Sequence, residues 1–380
     1  MDTPITVAGN NLTLLTEGPA RLDALVALID GATTSLRLLY YVYSADGAGQ
    51  RVHNALVAAA ARGVQVALIV DGFGSDVAGQ DDFFEILQTA GIDVSAFHPR
   101  WGRRYLLRNH QKLALADEAR ALVGGFNIGD DYFAEHGDTA WRDLGLLIDG
   151  DAVVQLVGYF DTLQRWIKTP RTPMRALRKS LRRWSNPEGA MRWLLGGPVR
   201  RLSPWARAVR TDLIKARRLS MIAAYFAPNP AMLRRLDRIG MRGSARIVTA
   251  SKTDNLATIG AARWTYAGLL RKRVRIFEYQ PLRLHTKLIV VDDAVYIGSA
   301  NFDMRSLFLN LEIMLRVEDA GFAAHVERYI DGEIAQSSEM TLAEFTGWHR
   351  WPSKLRWALC YFVVAVLDYN VTRRLNIGVG

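Results

Sequence analysis

One polar signature occurs twice in this chain, and the repeat requires two similar halves that each present the same chemistry. The first copy runs His110-Gln111-Lys112, then Asp117, then Gly124-Gly125-Phe126-Asn127. The second runs His285-Thr286-Lys287, then Asp292, then Gly298-Ser299-Ala300-Asn301. Between Lys and Asp each copy holds an apolar run, Leu113-Ala114-Leu115-Ala116 and Leu288-Ile289-Val290-Val291. Side chains two apart on a strand share a face. His110 and Lys112 therefore point one way, as do His285 and Lys287. Asp117 and Asp292 fall where the runs end, beside Glu118 and Asp293, a position that reads as a turn between two strands. Gly125 and Asn127, or Ser299 and Asn301, then sit two apart on the return strand.

Each copy thus offers an imidazole, an ammonium and an amide to one face. Two copies brought together suit a phosphodiester. The lysines neutralise phosphate oxygens, while the amides and the Ser299 hydroxyl donate hydrogen bonds to developing charge. One histidine can attack phosphorus, and the other can protonate the leaving alkoxide and then deprotonate the acceptor. None of these residues forms a cluster of metal-ligand carboxylates. With two lysines supplying the charge, no metal or other cofactor is expected. Asp143 and Glu312 each stand near the start of the strand that follows a signature. A carboxylate there can hold a histidine's far ring nitrogen, as in triads.

These residues resemble the two HKD motifs of the phospholipase D superfamily. Further stretches narrow the resemblance to bacterial cardiolipin synthases: Arg108-Asn109-His110-Gln111-Lys112, Trp141-Arg142-Asp143, Ala224-Tyr225-Phe226-Ala227-Pro228 and Asn301-Phe302-Asp303-Met304-Arg305-Ser306. The resemblance covers about residues 10–340 and is to the short, peripheral type without an N-terminal transmembrane hairpin. It implies a phosphatidyl transferase that makes cardiolipin from phosphatidylglycerol and a second phospholipid through a phosphohistidine. His110 is the expected nucleophile and His285 the general acid and base. Lys112, Lys287, Gly125, Asn127, Ser299 and Asn301 are expected around the phosphate. Asp117 and Asp292 belong to the signature's catalytic set, yet read as buttresses of the hairpin turn. The alternative is a phospholipase D-type hydrolase acting on lipid or, with less support, on nucleic acid. An inactive lipid-binding protein fits poorly, because both signatures are intact.

Element order supports the duplication. Leu36–Tyr43 and Val64–Asp71 read as buried strands alternating with helices at Arg21–Asp30, Val52–Arg62 and Asp81–Ala90. The strand–helix order returns at Leu219–Tyr225, Ala231–Ile239, Ala245–Ala250, Ala257–Leu270 and Val274–Tyr279. The expected fold is α/β, with two duplicated α-β-α halves. Each is a mixed, mostly parallel sheet with helices on both faces, and the halves share a pseudo-two-fold site. The chain divides into a first domain at 1–164, a basic amphipathic insertion at 165–210, a second domain at 211–340 and a C-terminal apolar segment at 341–380.

The formal net charge of +10 and a pI near 9.8 call for a polyanionic partner. From residue 165 to 218, basic residues such as Arg175, Arg178, Lys179, Arg182, Arg200 and Arg201 are interleaved with Met174, Leu177, Leu181, Trp184, Trp193 and Leu195. Together with Trp348, Trp351 and Trp357 beside the apolar run Trp357–Leu367, this favours an anionic membrane surface over nucleic acid. The expected location is the cytoplasmic face of a bacterial inner membrane. A single cysteine, Cys360, rules out an intrachain disulfide. The start, Met1–Gly18, has no signal-peptide pattern.

Overall fold

The structure is a computed structural model that describes residues 3–76, 81–98, 107–186, 188–199, 202–346 and 351–367. Arg200, Arg201 and Trp348, singled out in the sequence, lie outside the described residues. The first half contributes strands β1 (Ile5–Val7), β2 (Asn10–Leu15), β3 (Ser35–Tyr40), β4 (Gln65–Asp71), β5 (Asp93–Phe97), β6 (Leu113–Ala116), β7 (Arg120–Gly124), β8 (Trp141–Arg142) and β9 (Gly145–Asp149). Its helices are α1 (Gly18–Asp30), α2 (Gly47–Ala61), α3 (Asp81–Thr89), the short α4 (Asp130–Phe133) and α5 (Val154–Lys168). After α6 (Met174–Arg183), the second half supplies β10 (Met191–Gly196), β11 (Arg218–Ala223), β12 (Phe226–Ala227), β13 (Ser244–Ala250), β14 (Val274–Tyr279), β15 (Arg283–Leu284), β16 (Lys287–Val291), β17 (Ala294–Gly298), β18 (Phe302–Asp303), β19 (Glu312–Glu318) and β20 (Ser337–Met340). Its helices are α7 (Pro204–Lys215), α8 (Pro230–Arg242), α9 (Leu256–Arg271), α10 (Met304–Phe308), α11 (Ala320–Ala335), α12 (Leu342–Phe345) and α13 (Trp351–Tyr361).

Each half is one eight-stranded sheet, ordered β1-β2-β9-β7-β6-β3-β4-β5 and β10-β19-β17-β16-β11-β13-β14-β20. The expectation of a mostly parallel sheet is corrected here. Only β3–β4–β5 and β11–β13–β14 pair in parallel, where a helix crosses over between strands. The other pairings within the two sheets are antiparallel, because each signature is itself a hairpin and the strand after it folds back alongside. Period two is visible in β6. Leu113 and Leu115 enter the core between the two sheets, whereas Ala114 and Ala116 face α1–α3.

The halves stack as five layers. Helices α1–α3 cover the outer face of the first sheet, and α7–α9 cover that of the second. Between the sheets, a shared core joins Leu39, Ile69 and Leu115 to Ile222, Val248 and Leu288 through α5, α6 and α11. The apolar side of the basic stretch therefore turns inward. Met174, Leu177 and Leu181 recur at helical spacing and point α6 into this shared core, leaving Arg175, Lys179 and Arg182 in solvent. Residues 191–196 are β10, the edge strand of the second sheet, paired with β19. Among the described residues, no helix is long and apolar enough to cross a membrane.

The C-terminal segment packs on α9. Trp357 meets Phe345, whose ring lies edge-on against Tyr266 of α9. Gly260 permits the close approach, since a Cβ there would lie 2.7 Å from Cys360 Sγ. Beyond α13 the chain continues in π-helical turns over Phe362–Leu367. Asp368, Arg373 and Arg374 lie outside the described residues.

Candidate active site

Each signature histidine ends a short extended segment that pairs with the opposite half. Arg283–Leu284 runs parallel to Trp141–Arg142, and the His285 N–H donates to the Arg142 carbonyl at 2.8 Å. In the symmetric arrangement Asn109 bridges Leu311, and the His110 N–H donates to the Leu311 carbonyl at 2.9 Å. Arg142 precedes Asp143 and Leu311 precedes Glu312, so the pairing hands each histidine a carboxylate from the other half. His285 Nδ1 lies 2.5 Å from Asp143 Oδ2. His110 Nδ1 lies 3.1 Å from both oxygens of Glu312. Both carboxylates are fully buried. A carboxylate on Nδ1 fixes the tautomer with Nε2 free for chemistry.

The lysines are almost wholly buried. Lys112 Nζ donates to the His110 carbonyl at 2.7 Å, and Lys287 Nζ donates to that of His285. Burial depresses Lys112 to about 7 and Lys287 to about 8; Glu312 and Asp143 respectively offset only part of that cost. Burial, with the adjacent Lys287 ammonium, lowers His285 to about 3 against the pull of Asp143. Burial lowers His110 as well, opposed by Glu312. Asp143 resists desolvation and is held below its ordinary value by Lys287 and His285. At neutral pH both imidazoles are therefore uncharged, and His285 stands beside an ionised Asp143.

The tails of the two signatures differ in one informative place. A Cβ on Gly125 would lie 2.4 Å from Asp143 Oδ1 and 2.9 Å from Lys287 Cδ, so only glycine leaves room for that pair to cross between halves. At the equivalent position Ser299 turns its hydroxyl onto Glu312 Oε2, and its Oγ accepts the Ile313 N–H at 3.0 Å. Ser299 thus braces the carboxylate that holds His110. Asn127 Oδ1 accepts the Val42 N–H at 3.1 Å, which directs its amide N–H groups away from that strand end. Asn301 is buried, and its Oδ1 has no partner among the described residues.

Asp117 and Asp292 stand apart from this cluster. Both occupy the left-handed region, with φ of 51° and 52°, in the turns that close the β6–β7 and β16–β17 hairpins. Asp117 accepts the N–H groups of Thr33, Thr34 and Ser35 and both threonine hydroxyls. Desolvation pulls its pKa upward, but those N–H bonds win and hold it well below the ordinary carboxylate value. Asp292 accepts the N–H groups of Arg217 and Arg218. With the length of β6 or β16 between them and the lysines, roughly 15 Å, they leave the catalytic set and become turn braces.

Several contributors carried no sequence signal of their own. Tyr41 lies against the His110 ring at 5.1 Å, with Lys112 Nζ 5.3 Å from its centre. Trp141 and Tyr132 lie against His285 at 5.1 and 5.3 Å. Buried Arg21 donates to the Asp143 carbonyl at 2.6 Å, and Gln111 to the Glu312 carbonyl at 3.0 Å. Arg142 joins the halves by ion pairs to Glu17 and Glu333. Only the motif context of Gln111, Trp141 and Arg142 marked them in advance. Among the described residues, no three His, Cys, Asp or Glu side chains form a metal-ligand group.

Known proteins match along most of the chain. A family model described as cardiolipin synthase, phospholipase D-like domain, matches residues 25–163 and 210–334. Cardiolipin synthase A of Pseudomonas putida is 31% identical over 354 residues, covering 90% of this chain and 72% of the relative. The Pseudomonas aeruginosa enzyme of the same name is 31% identical over 346 residues, covering 88% and 69%. Among solved structures, phosphatidylserine synthase of Haemophilus influenzae shares the fold across 95% of both chains, with a TM-score of 0.69 at 14% identity. Polyphosphate kinase of Porphyromonas gingivalis shares it over 88% of this chain and 49% of its own, with a TM-score of 0.58 at 16% identity. By the family match and by two relatives above 30% identity, the chain belongs to the phospholipase D-like cardiolipin synthase family.

Proposed function

We propose that this protein is a phosphatidyl transferase that makes cardiolipin from phosphatidylglycerol and a second phospholipid, working at the cytoplasmic surface of the bacterial inner membrane. The observation that carries the reading is the exchange of carboxylates: two imidazoles, His285 buried and His110 largely so, are each aligned by a carboxylate of the other half. Lys112 and Lys287 bind the phosphodiester oxygens, with Asn127, Asn301 and the Gly125 and Ser299 turns around them. The site is assigned no metal or cofactor.

In the first step His110 Nε2 attacks phosphorus in line. The bond from phosphorus to the head-group oxygen breaks, and His285 supplies the proton that turns the alkoxide into an alcohol. A bound phosphodiester anion offsets the two ammoniums and restores the proton affinity that burial removes from His285. In the second step a glycerol hydroxyl of phosphatidylglycerol gives its proton to His285 and attacks phosphorus. The P–N bond then breaks and His110 returns to neutrality. Hydrolysis differs only in the acceptor, water in place of the glycerol hydroxyl. The test is incubation with phosphatidylglycerol vesicles and mass analysis of the lipids. Cardiolipin with free glycerol supports transfer; phosphatidic acid alone makes the protein a hydrolase.

A further inference from the structure

The C-terminal helix has two unlike faces. Trp357 and Ala365 are buried, on Phe345 and on Ala261, Ala227 and Met304 respectively. Opposite them Trp351, Leu355 and Leu359 are 58%, 59% and 61% exposed, and the row continues through Val363 and Leu367 at steps of four residues. Helical side chains at that spacing form one ridge. Leu256, 77% exposed, stands at the first turn of α9, the helix on which this segment packs. A continuous exposed apolar ridge of this kind marks an interaction surface.

Its surroundings define the partner. From Trp351 to Leu367 the chain has no acidic residue, and Arg356 is exposed on α13 itself. The neighbouring helix α8 packs on α9 and exposes Arg234 and Arg238. With Arg235 and Arg210 these arginines are close enough to repel one another: burial first, then its three like-charged neighbours, lowers the Arg235 pKa. Tyr361 ties the end of α13 to this region by donating to the Pro228 carbonyl, two residues before α8 begins, at 2.7 Å. A tryptophan-ended apolar ridge on a segment that carries basic and no acidic residues is the pattern of an interfacial helix on anionic lipid. The ridge also leads to the catalytic end of the second sheet. Ala365 packs on Met304 and Ala227, and the β12–β18 ladder that holds Ala227 begins immediately after Asn301.

We propose that the exposed face of α13 and its π-helical continuation docks on an anionic phospholipid surface, setting the rim of the catalytic cleft against the membrane. The proposal rests on the phosphatidyl-transfer reading for the purpose of the docking, but its test is separable. The ridge inserts Leu355, Leu359 and Val363 among the acyl chains while Arg356 meets the head groups.

The experiment compares the full chain with a Leu355→Glu/Leu359→Glu variant, checked for native circular dichroism, by co-sedimentation with vesicles of phosphatidylglycerol and phosphatidylcholine. Wild type is expected to pellet, to pellet less as salt rises, and to bind phosphatidylcholine alone weakly. The variant should bind roughly a hundredfold more weakly, from the loss of two buried leucines. It should keep its turnover of monomeric short-chain phosphatidylglycerol within about twofold. Equal pelleting of the variant overturns the proposal. So does light scattering that finds a wild-type dimer turned monomeric by the variant with vesicle binding unchanged, since the ridge then covers a second copy. A wild type that binds vesicles through this face yet transforms no phospholipid leaves the docking standing and removes the transferase reading instead.

Discussion

His285 and Asp143, which come from different halves, meet at 2.5 Å between Nδ1 and Oδ2, and His110 and Glu312 repeat the exchange in the other direction. Neither half is complete without the other. Asp143→Asn should leave the fold intact, because the amide still accepts the Leu144 N–H made at 2.8 Å by Oδ1. It should lower kcat by about a thousandfold or more, since a misaligned tautomer is costly in carboxylate–histidine pairs. Glu312→Gln should do the same. Steady-state kinetics with unchanged thermal melting checks both; near-normal turnover in either variant contradicts the orienting role.

How far the sequence reaches is clear from these residues. The duplicated signature located His110, Lys112, His285 and Lys287, and the apolar runs located β3, β4, β11 and β13, because buried strands need such runs. The exchange of partners was not legible. Asp143 and Glu312 read as strand-start carboxylates in any register, and only the pairing of residues 283–284 with 141–142 decides which histidine each one meets. The basic stretch misled for a similar reason. Apolar residues at helical spacing in α6 look the same whether they cover lipid or the shared core, and Met191–Gly196 joins a sheet whose neighbour, β19, is far along the chain.

Gly125→Ala should fail at the site and not in the fold. Its Cβ would collide with Asp143 Oδ1 at 2.4 Å and crowd Lys287. A loss of about a hundredfold in kcat/KM is expected, of the size that a misplaced catalytic group costs. Ser299→Ala, which removes only one brace on Glu312, should cost about tenfold, the worth of one such hydrogen bond. Parallel kinetics on the two variants tests the difference, and equal losses contradict it.

Asp117→Ala should separate stability from catalysis. Its carboxylate holds the backbone N–H groups of residues 33–35, so losing it should cost about 1–2 kcal/mol, as for other backbone-capping side chains. Denaturant unfolding should show the loss while kcat stays within about twofold. A large fall in kcat with stability unchanged would return Asp117 to the chemistry.

Stability should depend on pH with a definite sign. Lys112 and Lys287 titrate near 7 and 8 in the folded site but near 10.5 when unfolded, so between those values the unfolded chain binds more protons. His285 repeats the inequality from about 3 up to 6.5. In both windows stability from these groups rises with pH and falls as pH drops. Anion binding runs the other way: dimethyl phosphate, a diester that stays singly charged over this range, should bind more weakly as pH rises through 7–8, because the ammoniums deprotonate. Calorimetric titration across pH 6–9 checks this; tighter binding at high pH contradicts it.

The central claim is a covalent phosphohistidine with divided roles, and trapping it is the most direct test. A short-chain phosphatidyl ester of p-nitrophenol needs no proton on its leaving group. Mixed with the His285→Ala variant and quenched in alkali, it should give a burst of p-nitrophenolate and a phosphatidyl adduct on the peptide carrying His110, because attack proceeds and transfer onward stalls. His110→Ala should give neither. A burst and adduct in His110→Ala but not in His285→Ala would reverse the assignment, and the absence of an adduct from both variants and from wild type would contradict the covalent mechanism.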